Sequence, residues 1–320
     1  MSNFANTVKI ENFKSIRSLE LTDCRRINLF IGKPNVGKSN IMEALSLFSL
    51  PYLIDCKYKL KDLIRYDVYN ELFFDGDSSK EASVVIDNDR ILIKNEQFLD
   101  IRIGDLNQVS KIDSSDIAGI LILETIRYKN YYFKKLKSGY TYSNYLTPPF
   151  GDNLYYVIQL MDKLKTEFLQ IFKNYGLNLV FDKASNSLKI MKGVEKGEIF
   201  LIPFSSVADS LQRLIFYKTA IRSNENSIIT FEEPETHTYP PYIKQIANDI
   251  VESKTNQFFL TTHSPYVVSE LLTSADDGEL AIFLVDFKEG ETVTRRLTDT
   301  ELKEVYNNDI DLFFNSELFL

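Results

Sequence analysis

The sequence has few of the residues that mark disulfide-bonded, zinc-binding or membrane proteins. It contains 2 cysteines and 2 histidines in 320 residues, and Cys24 and Cys56 form no CxxC pair and no Cys/His cluster of the kind that binds zinc. No stretch approaches the roughly 18 apolar residues of a membrane-spanning helix. The first residues lack the apolar core of a signal peptide. We therefore expect a cytoplasmic protein without a membrane segment.

The sequence also has fewer basic than acidic residues. The 45 acidic residues outnumber the 37 basic ones, which gives a net charge of -8. This balance argues against a protein covered with nucleic acid, although it leaves room for a local basic surface. Hydrophobic residues make up 44% of the chain, so a sizeable core is expected. The length suits one large domain or two closely joined lobes.

The stretch "GKPNVGKS" fits the spacing G-x-x-x-x-G-K-[ST] of a phosphate-binding loop, or P-loop. The apolar run "INLFI" before it predicts a buried parallel strand. After it, apolar residues at helical spacing predict a helix, which Pro51 is expected to end. They are Ile41, Ala44, Leu45 and Phe48. A P-loop requires this strand–loop–helix context, and an unusual glycine-containing turn is the alternative.

The residue types in this loop suit phosphate binding. Gly32 and Gly37 allow the backbone to curl so that successive N–H groups face an anion at the start of the helix. Lys38 is expected to bridge the β- and γ-phosphates of ATP, and Ser39 to coordinate Mg²⁺. The predicted nucleotide-binding residues of the loop are Gly32, Asn35, Gly37, Lys38, Ser39 and Asn40.

Two further strand ends carry polar residues. The run "SIITF" leads into Glu232 and Glu233, where Glu232 is a candidate Mg²⁺ ligand and Glu233 a candidate to polarise the attacking water. The run "QFFL" leads into "TTHSP", where His263 is a candidate to sense the γ-phosphate or orient the water. The alternatives are a solvated acidic loop and a histidine that caps a helix beginning near Pro265.

These motifs together resemble a known group of proteins. "VKIENFKSIRSLEL" followed by "INLFIGKPNVGKSNIMEAL" is similar to the start of ABC-type ATPases of the RecF, SMC and OLD-like group. "FEEPETHTYP" resembles their Walker B and D-loop region, and "TTHSP" resembles their switch histidine segment. The resemblance implies ATP and Mg²⁺ as cofactors. It also implies a homo-oligomer, either a dimer of heads that closes around two ATP molecules or a higher assembly.

The resemblance also assigns roles to residues. It implies that Glu233 is the catalytic glutamate, that His263 is the switch histidine, and that Glu232 holds the metal where many members have aspartate. In this group an S-x-G signature closes on the γ-phosphate held by the other head. Here "ADS" stands in that place without a glycine. Ser206 and Ser210 remain candidates to donate to a phosphate, and ordinary N-capping of the following helix is the alternative.

The predicted fold class is α/β, a P-loop NTPase of the ABC-ATPase head type with an antiparallel β lobe and a helical insert. Residues 1–50 and 200–320 are assigned to the nucleotide-binding core, and residues 51–199 to the lobe and insert. "ASVVIDNDRILIKNEQFLDIRIG" alternates like antiparallel strands. "DNLYYVIQLMDKLKTEFLQIFKNYG" predicts one helix that ends at Gly176. No sustained heptad predicts a long arm. The chain ends too soon after the ATPase motifs for a Toprim domain, so no nuclease activity is expected.

One segment of the insert, "IRYKNYYFKKLKSGYTYSNY", is basic and rich in tyrosine. Its positive residues are Arg127, Lys129, Lys134, Lys135 and Lys137. This basic segment has three interpretations: a nucleic-acid surface with stacking tyrosines, an exposed lysine-rich hairpin, or a docking surface for a protein partner.

Two functions follow from these motifs. The first is an ATP-hydrolysing motor or switch that acts on DNA or on an effector protein. The second is an ATP-gated scaffold that hydrolyses little and holds or releases a partner effector. The resemblance implies a role in bacterial defence against phage or plasmids, with genome maintenance as the alternative.

Overall fold

The computed structural model of the protein describes residues 4–56, 58–94, 98–104, 106–111, 126–134, 143–195 and 198–320. Its strands are β1 (Val8–Phe13), β2 (Ile16–Leu21), β3 (Ile27–Ile31), β4 (Ala82–Ile86), β5 (Asp89–Lys94), β6 (Phe98–Ile103), β7 (Leu106–Lys111), β8 (Tyr128–Tyr131), β9 (Asn178–Asp182), β10 (Ser187–Glu195), β11 (Glu198–Pro203), β12 (Ile228–Glu232), β13 (Gln257–Thr261), β14 (Leu280–Lys288) and β15 (Glu291–Arg296). Its α-helices are α1 (Lys38–Ser46), α2 (Leu50–Asp55), α3 (Leu154–Leu160), α4 (Asp162–Asn174), α5 (Asp209–Arg222), α6 (Pro240–Glu252), α7 (Pro265–Ser274), α8 (Asp299–Asn307) and α9 (Leu312–Asn315).

The core sheet has the order β15-β14-β3-β13-β12-β8. Its strands run parallel from β14 to β8, and β15 pairs antiparallel with β14. In β3, Ile27, Leu29 and Ile31 face one hydrophobic cluster and Phe30 faces the other. Both faces of the sheet are therefore covered, which explains why β3 reads as an uninterrupted apolar run. The predicted buried strand before the P-loop is confirmed.

Two antiparallel sheets accompany the core sheet. The lobe sheet has the order β2-β1-β4-β5-β6-β7, and the small sheet has the order β11-β10-β9. The predicted antiparallel strands around residues 82–103 are confirmed, as is the α/β fold class with an antiparallel lobe. The hairpin β1–β2 pairs with β4, so the lobe sheet takes its first two strands from the part of the chain that we assigned to the core.

Strand β8 corrects the interpretation of the basic segment. It lies at the edge of the core sheet beside β12, and all four of its residues are buried. Lys129 is 6% exposed and donates to Asn224 Oδ1 over 2.6 Å, and Arg127 pairs with Asp89. The exposed-hairpin interpretation is therefore wrong for Lys129, which is buried in a strand that pairs parallel with β12, whereas the side chain of Arg127 is 28% exposed. Lys135 and Lys137 lie outside the described residues.

Two helix predictions also require correction. The insert helix is two helices, because the chain breaks at Met161, whose φ of -100° and ψ of 89° are not helical. Its apolar stripe is still largely buried: Leu154, Val157, Ile158, Leu164, Phe168 and Phe172. Pro51 does not end the P-loop helix. It lies in the first turn of α2, where a missing N–H leaves no intrahelical hydrogen bond unmade.

A buried ion-pair network fastens α5 to α6. Lys218 on α5 and Asp249 on α6 are 3% and 2% exposed, and their charged atoms lie 2.7 Å apart. Glu167 of α4 also accepts from Lys218, over 2.9 Å. The network joins the helix after the signature region to the helix after the acidic residues of β12.

Asp249→Ala should therefore destabilise the protein by about 3 kcal/mol, because it removes one of the two carboxylates that compensate a buried ammonium group. Glu252→Ala is the matched control. Glu252 is 73% exposed, and its carboxylate lies as far as 4.0 Å from Arg222. The loss of this weak ion pair should therefore cost less than about 0.5 kcal/mol. Urea unfolding measures both, and equal effects would contradict the prediction.

A second ion pair lies at the end of the core sheet where β3 begins, opposite the P-loop. Arg26, just before β3, donates to both carboxylate oxygens of Glu279 and to the carbonyls of Ile250 and Ser253 near the end of α6. Burial by itself raises the pKa of Glu279, but Arg26 and Lys254 outweigh it and hold that pKa at about 2.

Because the folded state depresses this pKa, the pair contributes stability that is fully present above pH 4.5 and is lost as the pH falls toward about 2. We expect the melting temperature of Glu279→Gln to fall less steeply than that of the parent below about pH 4.5. Differential scanning calorimetry in matched buffers measures this slope, and parallel curves would rule out the pair as a source of acid sensitivity.

Candidate nucleotide site

The P-loop joins β3 to α1, and its shape requires glycine at position 37. Gly37 has a φ of 97° and directly precedes the helix, a backbone conformation that side chains disfavour. A Cβ atom there would lie 2.0 Å from Thr292 Oγ1. Any substitution at position 37 must therefore overcome both backbone strain and a steric clash.

Lys38 folds back over the loop. It is 5% exposed, and its Nζ donates to the carbonyl oxygens of Gly32 and Lys33, each over 2.8 Å. Burial lowers the pKa of Lys38, and the nearby Glu233 and Glu232 oppose that effect. The Lys38 ammonium group is thus the buried cation of the loop.

Side chains from distant parts of the sequence hold the P-loop. Thr292 on β15 donates to Val36 O over 3.0 Å, and its Oγ1 lies 2.7 Å from Ser15 Oγ. Asn40 donates to the same Ser15 hydroxyl over 2.6 Å. Sequence reasoning did not identify Ser15 or Thr292, because nothing in the sequence relates residues 277 positions apart. In this structure the Asn40 amide therefore contacts Ser15, which also contacts Thr292.

Glu232 ends β12 and meets a cation that the motifs did not indicate. Arg65 Nη2 lies 3.2 Å from Glu232 Oε1, while Arg65 Nε donates to Glu43 Oε1 over 2.6 Å. Glu43 is buried on α1 and also pairs with Lys14, from the β1–β2 turn. Two cations from separate loops thus converge on one buried carboxylate beside the P-loop.

Glu233 and His263 are brought together because they follow the neighbouring strands β12 and β13. His263 Nε2 lies 3.3 Å from Glu233 Oε1. Glu233 has a left-handed φ of 44°, and its other oxygen accepts from Thr236 Oγ1 over 3.2 Å. Burial lowers the pKa of His263, Lys38 lowers it further, and Glu233 opposes both. The lowered pKa favours the neutral imidazole, which can accept or donate a hydrogen bond.

The signature region begins α5. Ser206 is exposed, and Ser210 Oγ accepts from the backbone N–H of Tyr239 over 2.5 Å. Ala208 occupies the N-cap position, and no side chain caps the helix there. Simple N-capping therefore does not explain either serine. Their contact with a phosphate stays a prediction.

The residue types fit ATP with Mg²⁺. Among the described residues, no group of three or more His, Cys, Asp or Glu side chains is arranged to cage a metal ion. Mg²⁺ in P-loop sites does not need such a cage, because it takes one or two protein oxygens and completes its octahedron with phosphate and water. Ser39, at the start of α1, and Glu232, at the end of β12, are hard oxygen ligands of that kind.

The parallel core sheet, the P-loop after β3 and the antiparallel lobe define the fold class of the protein. It has the P-loop ATPase fold of the ABC type, as found in SMC heads. The chain superposes on an SMC head bound to the C-terminal winged-helix domain of ScpA with a TM-score of 0.57 and 18% identity, covering 93% of this chain and 99% of that one. It superposes on the Smc head of Pyrococcus furiosus, bound to the C-terminal domain of ScpA, with a TM-score of 0.55 and 14% identity, covering 96% and 99%.

Sequence comparison adds a more particular similarity. Residues 150–269, which contain α3 to α6 and the first half of α7 with Glu232, Glu233 and His263, match the family described as "AAA domain, putative AbiEii toxin, Type IV TA system". A stretch of 42 residues, 13% of the chain, is 50% identical to an uncharacterized protein of Methanocaldococcus jannaschii and covers 19% of that protein. Within the described part of the chain, no helix has the length and apolar character to cross a membrane.

Proposed function

We propose that the protein binds and hydrolyses ATP with Mg²⁺ in the cytoplasm. The observation that carries this proposal is the 3.3 Å approach of His263 Nε2 to Glu233 Oε1 at the sheet edge that also bears the P-loop. In the core sheet β13 lies between β3 and β12. Since parallel strands end at one edge, Lys38, His263 and Glu233 face the same space.

Each residue has a distinct task in this reaction. The backbone N–H groups at the start of α1 and Lys38 bind the phosphates, and Ser39 and Glu232 hold Mg²⁺, which neutralises charge on the phosphate oxygens when bound. Glu233 accepts a proton from the attacking water, and His263 orients that water or the γ-phosphate. Gly32 and Gly37 let the loop wrap the anion.

We further propose that two heads close face to face around two ATP molecules and that hydrolysis reopens them. In that arrangement Ser206 and Ser210 of one head meet the nucleotide of the other. Two similar SMC heads are each bound to a domain of ScpA, which supports a partner protein for this chain as well. We propose that the heads act on DNA or on a separate effector protein, and that this action serves defence against phage.

One observation favours the alternative, an ATP-gated scaffold. Ser210 is already engaged by the backbone of Tyr239, and the signature region has no glycine to bring a backbone N–H close to a phosphate. A head with this signature would close on ATP but hydrolyse it slowly.

Phosphate release and light scattering, measured on the same sample, distinguish the two. A motor or switch hydrolyses ATP in multiple turnovers and returns to the open form, whereas a scaffold stays associated with unhydrolysed ATP. A chain that neither binds ATP nor changes its mass with ATP would overturn both.

A further inference from the structure

Glu235 follows Glu233 as the second carboxylate in the turn after β12, and neither phosphate binding nor metal binding uses it. Its Oε1 accepts two hydrogen bonds from the end of β13, from Thr262 Oγ1 over 2.7 Å and from the backbone N–H of His263 over 2.8 Å. The carboxylate thus spans the gap between two neighbouring strand ends. It connects the turn that carries Glu233 to the residue that carries the imidazole.

The chemistry of the second oxygen argues against a role as a free charge. Glu235 Oε2 is buried and has no hydrogen-bond partner among the described residues. Burial raises the pKa of Glu235, the hydrogen bonds from His263 and Thr262 oppose this, and the charge of Glu233 adds to it. Burial is unfavourable for a charged carboxylate. The two hydrogen bonds that Oε1 accepts explain why the side chain lies there.

Glu235 holds the backbone of His263. The imidazole lies within reach of Glu233 only if the chain after β13 turns at the right point. The two side chains, which are 39% and 35% exposed, make a single contact of 3.3 Å. A hydrogen bond to the backbone fixes that point without occupying the imidazole. This contact uses neither ring nitrogen, so Nε2 remains able to face Glu233.

We propose that Glu235 is a positioning residue that sets His263 against Glu233 through the backbone N–H of His263. This inference rests on the proposed ATPase for its effect on rate, but the geometry it describes exists without nucleotide. It requires the reach of the side chain and an acceptor oxygen, and it does not require a negative charge.

Two variants separate reach from charge. Glu235→Gln keeps the length and a carbonyl oxygen that can accept from His263 and Thr262, but it is uncharged. Glu235→Asp keeps the charge and is one methylene shorter, so its oxygen falls short of the backbone N–H. Positioning predicts that the Gln variant resembles the parent and that the Asp variant is impaired, and a purely electrostatic role predicts the reverse.

The first measurement needs no turnover. The chain has only 2 histidines, so both imidazoles can be titrated by NMR, and His237→Gln assigns them. Burial and Lys38 lower the pKa of His263 in the parent. In Glu235→Asp that pKa should rise toward the ordinary value of about 6.5, because the imidazole leaves its site. In Glu235→Gln it should stay within about 0.2 of the parent.

The second measurement is steady-state hydrolysis of Mg-ATP. Glu235→Asp should lower kcat about tenfold or more with KM changed less than about threefold, because a misplaced catalytic group costs rate rather than ground-state binding. An unshifted His263 titration in Glu235→Asp, or a Gln variant as impaired as the Asp variant, would overturn the inference. A parent without ATPase activity would refute the proposed function and leave the titration to decide the inference. If Glu235→Asp melts early, Thr262→Val tests the same contact, and it should shift the His263 titration in the same direction.

Discussion

Lys38→Ala should weaken ATP binding by on the order of a hundredfold to ten-thousandfold. Lys38 is the cation folded into the P-loop, where its Nζ contacts the carbonyls of Gly32 and Lys33. Two charge-assisted hydrogen bonds to phosphates are worth about 3–6 kcal/mol together, which converts to that range of affinity. Isothermal titration calorimetry with ATP, with and without Mg²⁺, measures the loss.

Lys33→Ala is the matched control for this prediction. Lys33 belongs to the same loop, but its side chain is 62% exposed and pairs with Glu317 at 2.8 Å. We expect its affinity for ATP to remain within about threefold of the parent, since an exposed ion pair contributes little. If Lys38→Ala binds ATP as tightly as Lys33→Ala, and both melt like the parent, the phosphates do not lie where the loop predicts.

Glu233→Gln should retain ATP binding and lower the rate of hydrolysis by about a hundredfold or more, the usual contribution of a general base. The amide keeps the shape of the side chain and can still accept from Thr236, but it cannot take a proton from water. Because the metal ligands Ser39 and Glu232 are untouched, the ATP-bound form should accumulate. Phosphate release gives the rate, and light scattering shows whether the associated form persists.

Glu252→Gln serves as the control because its side chain is 73% exposed on α6, and it should hydrolyse ATP at the parental rate. A normal rate in Glu233→Gln would assign the base to another group. If the rate falls but no associated form appears with ATP, hydrolysis does not depend on head-to-head closure.

Local sequence patterns succeeded where one strand and the next few residues decide the outcome. The P-loop, the ends of β12 and β13 and the helix α7 after His263 are all of this kind. Each is a buried apolar run followed by polar residues, and in a parallel sheet this order places the polar residues at a common edge. The approach of His263 to Glu233 needed only the further fact that β13 lies between β3 and β12.

The same reasoning failed for strand β8. Lysines that alternate with tyrosines look amphipathic, so they predict an exposed basic face. The strand is instead covered on both sides, and Lys129 is held by Asn224 and the ring of Tyr145. Whether a lysine is solvated or buried depends on what packs over it, and that partner lies 95 residues away.

The sequence by itself determined the kind of site, because phosphate binding requires a glycine-rich turn, a lysine and a hydroxyl at fixed spacing within one short segment. Only the tertiary structure decided what surrounds it. Arg65 reaches Glu232, Thr292 braces the loop through Ser15, and Glu235 holds the backbone of His263. These contacts join residues that the chain separates by between 28 and 277 positions. They form because the core sheet, the lobe sheet and α1 bring distant turns together. No periodicity or spacing along the chain indicates which turns will meet.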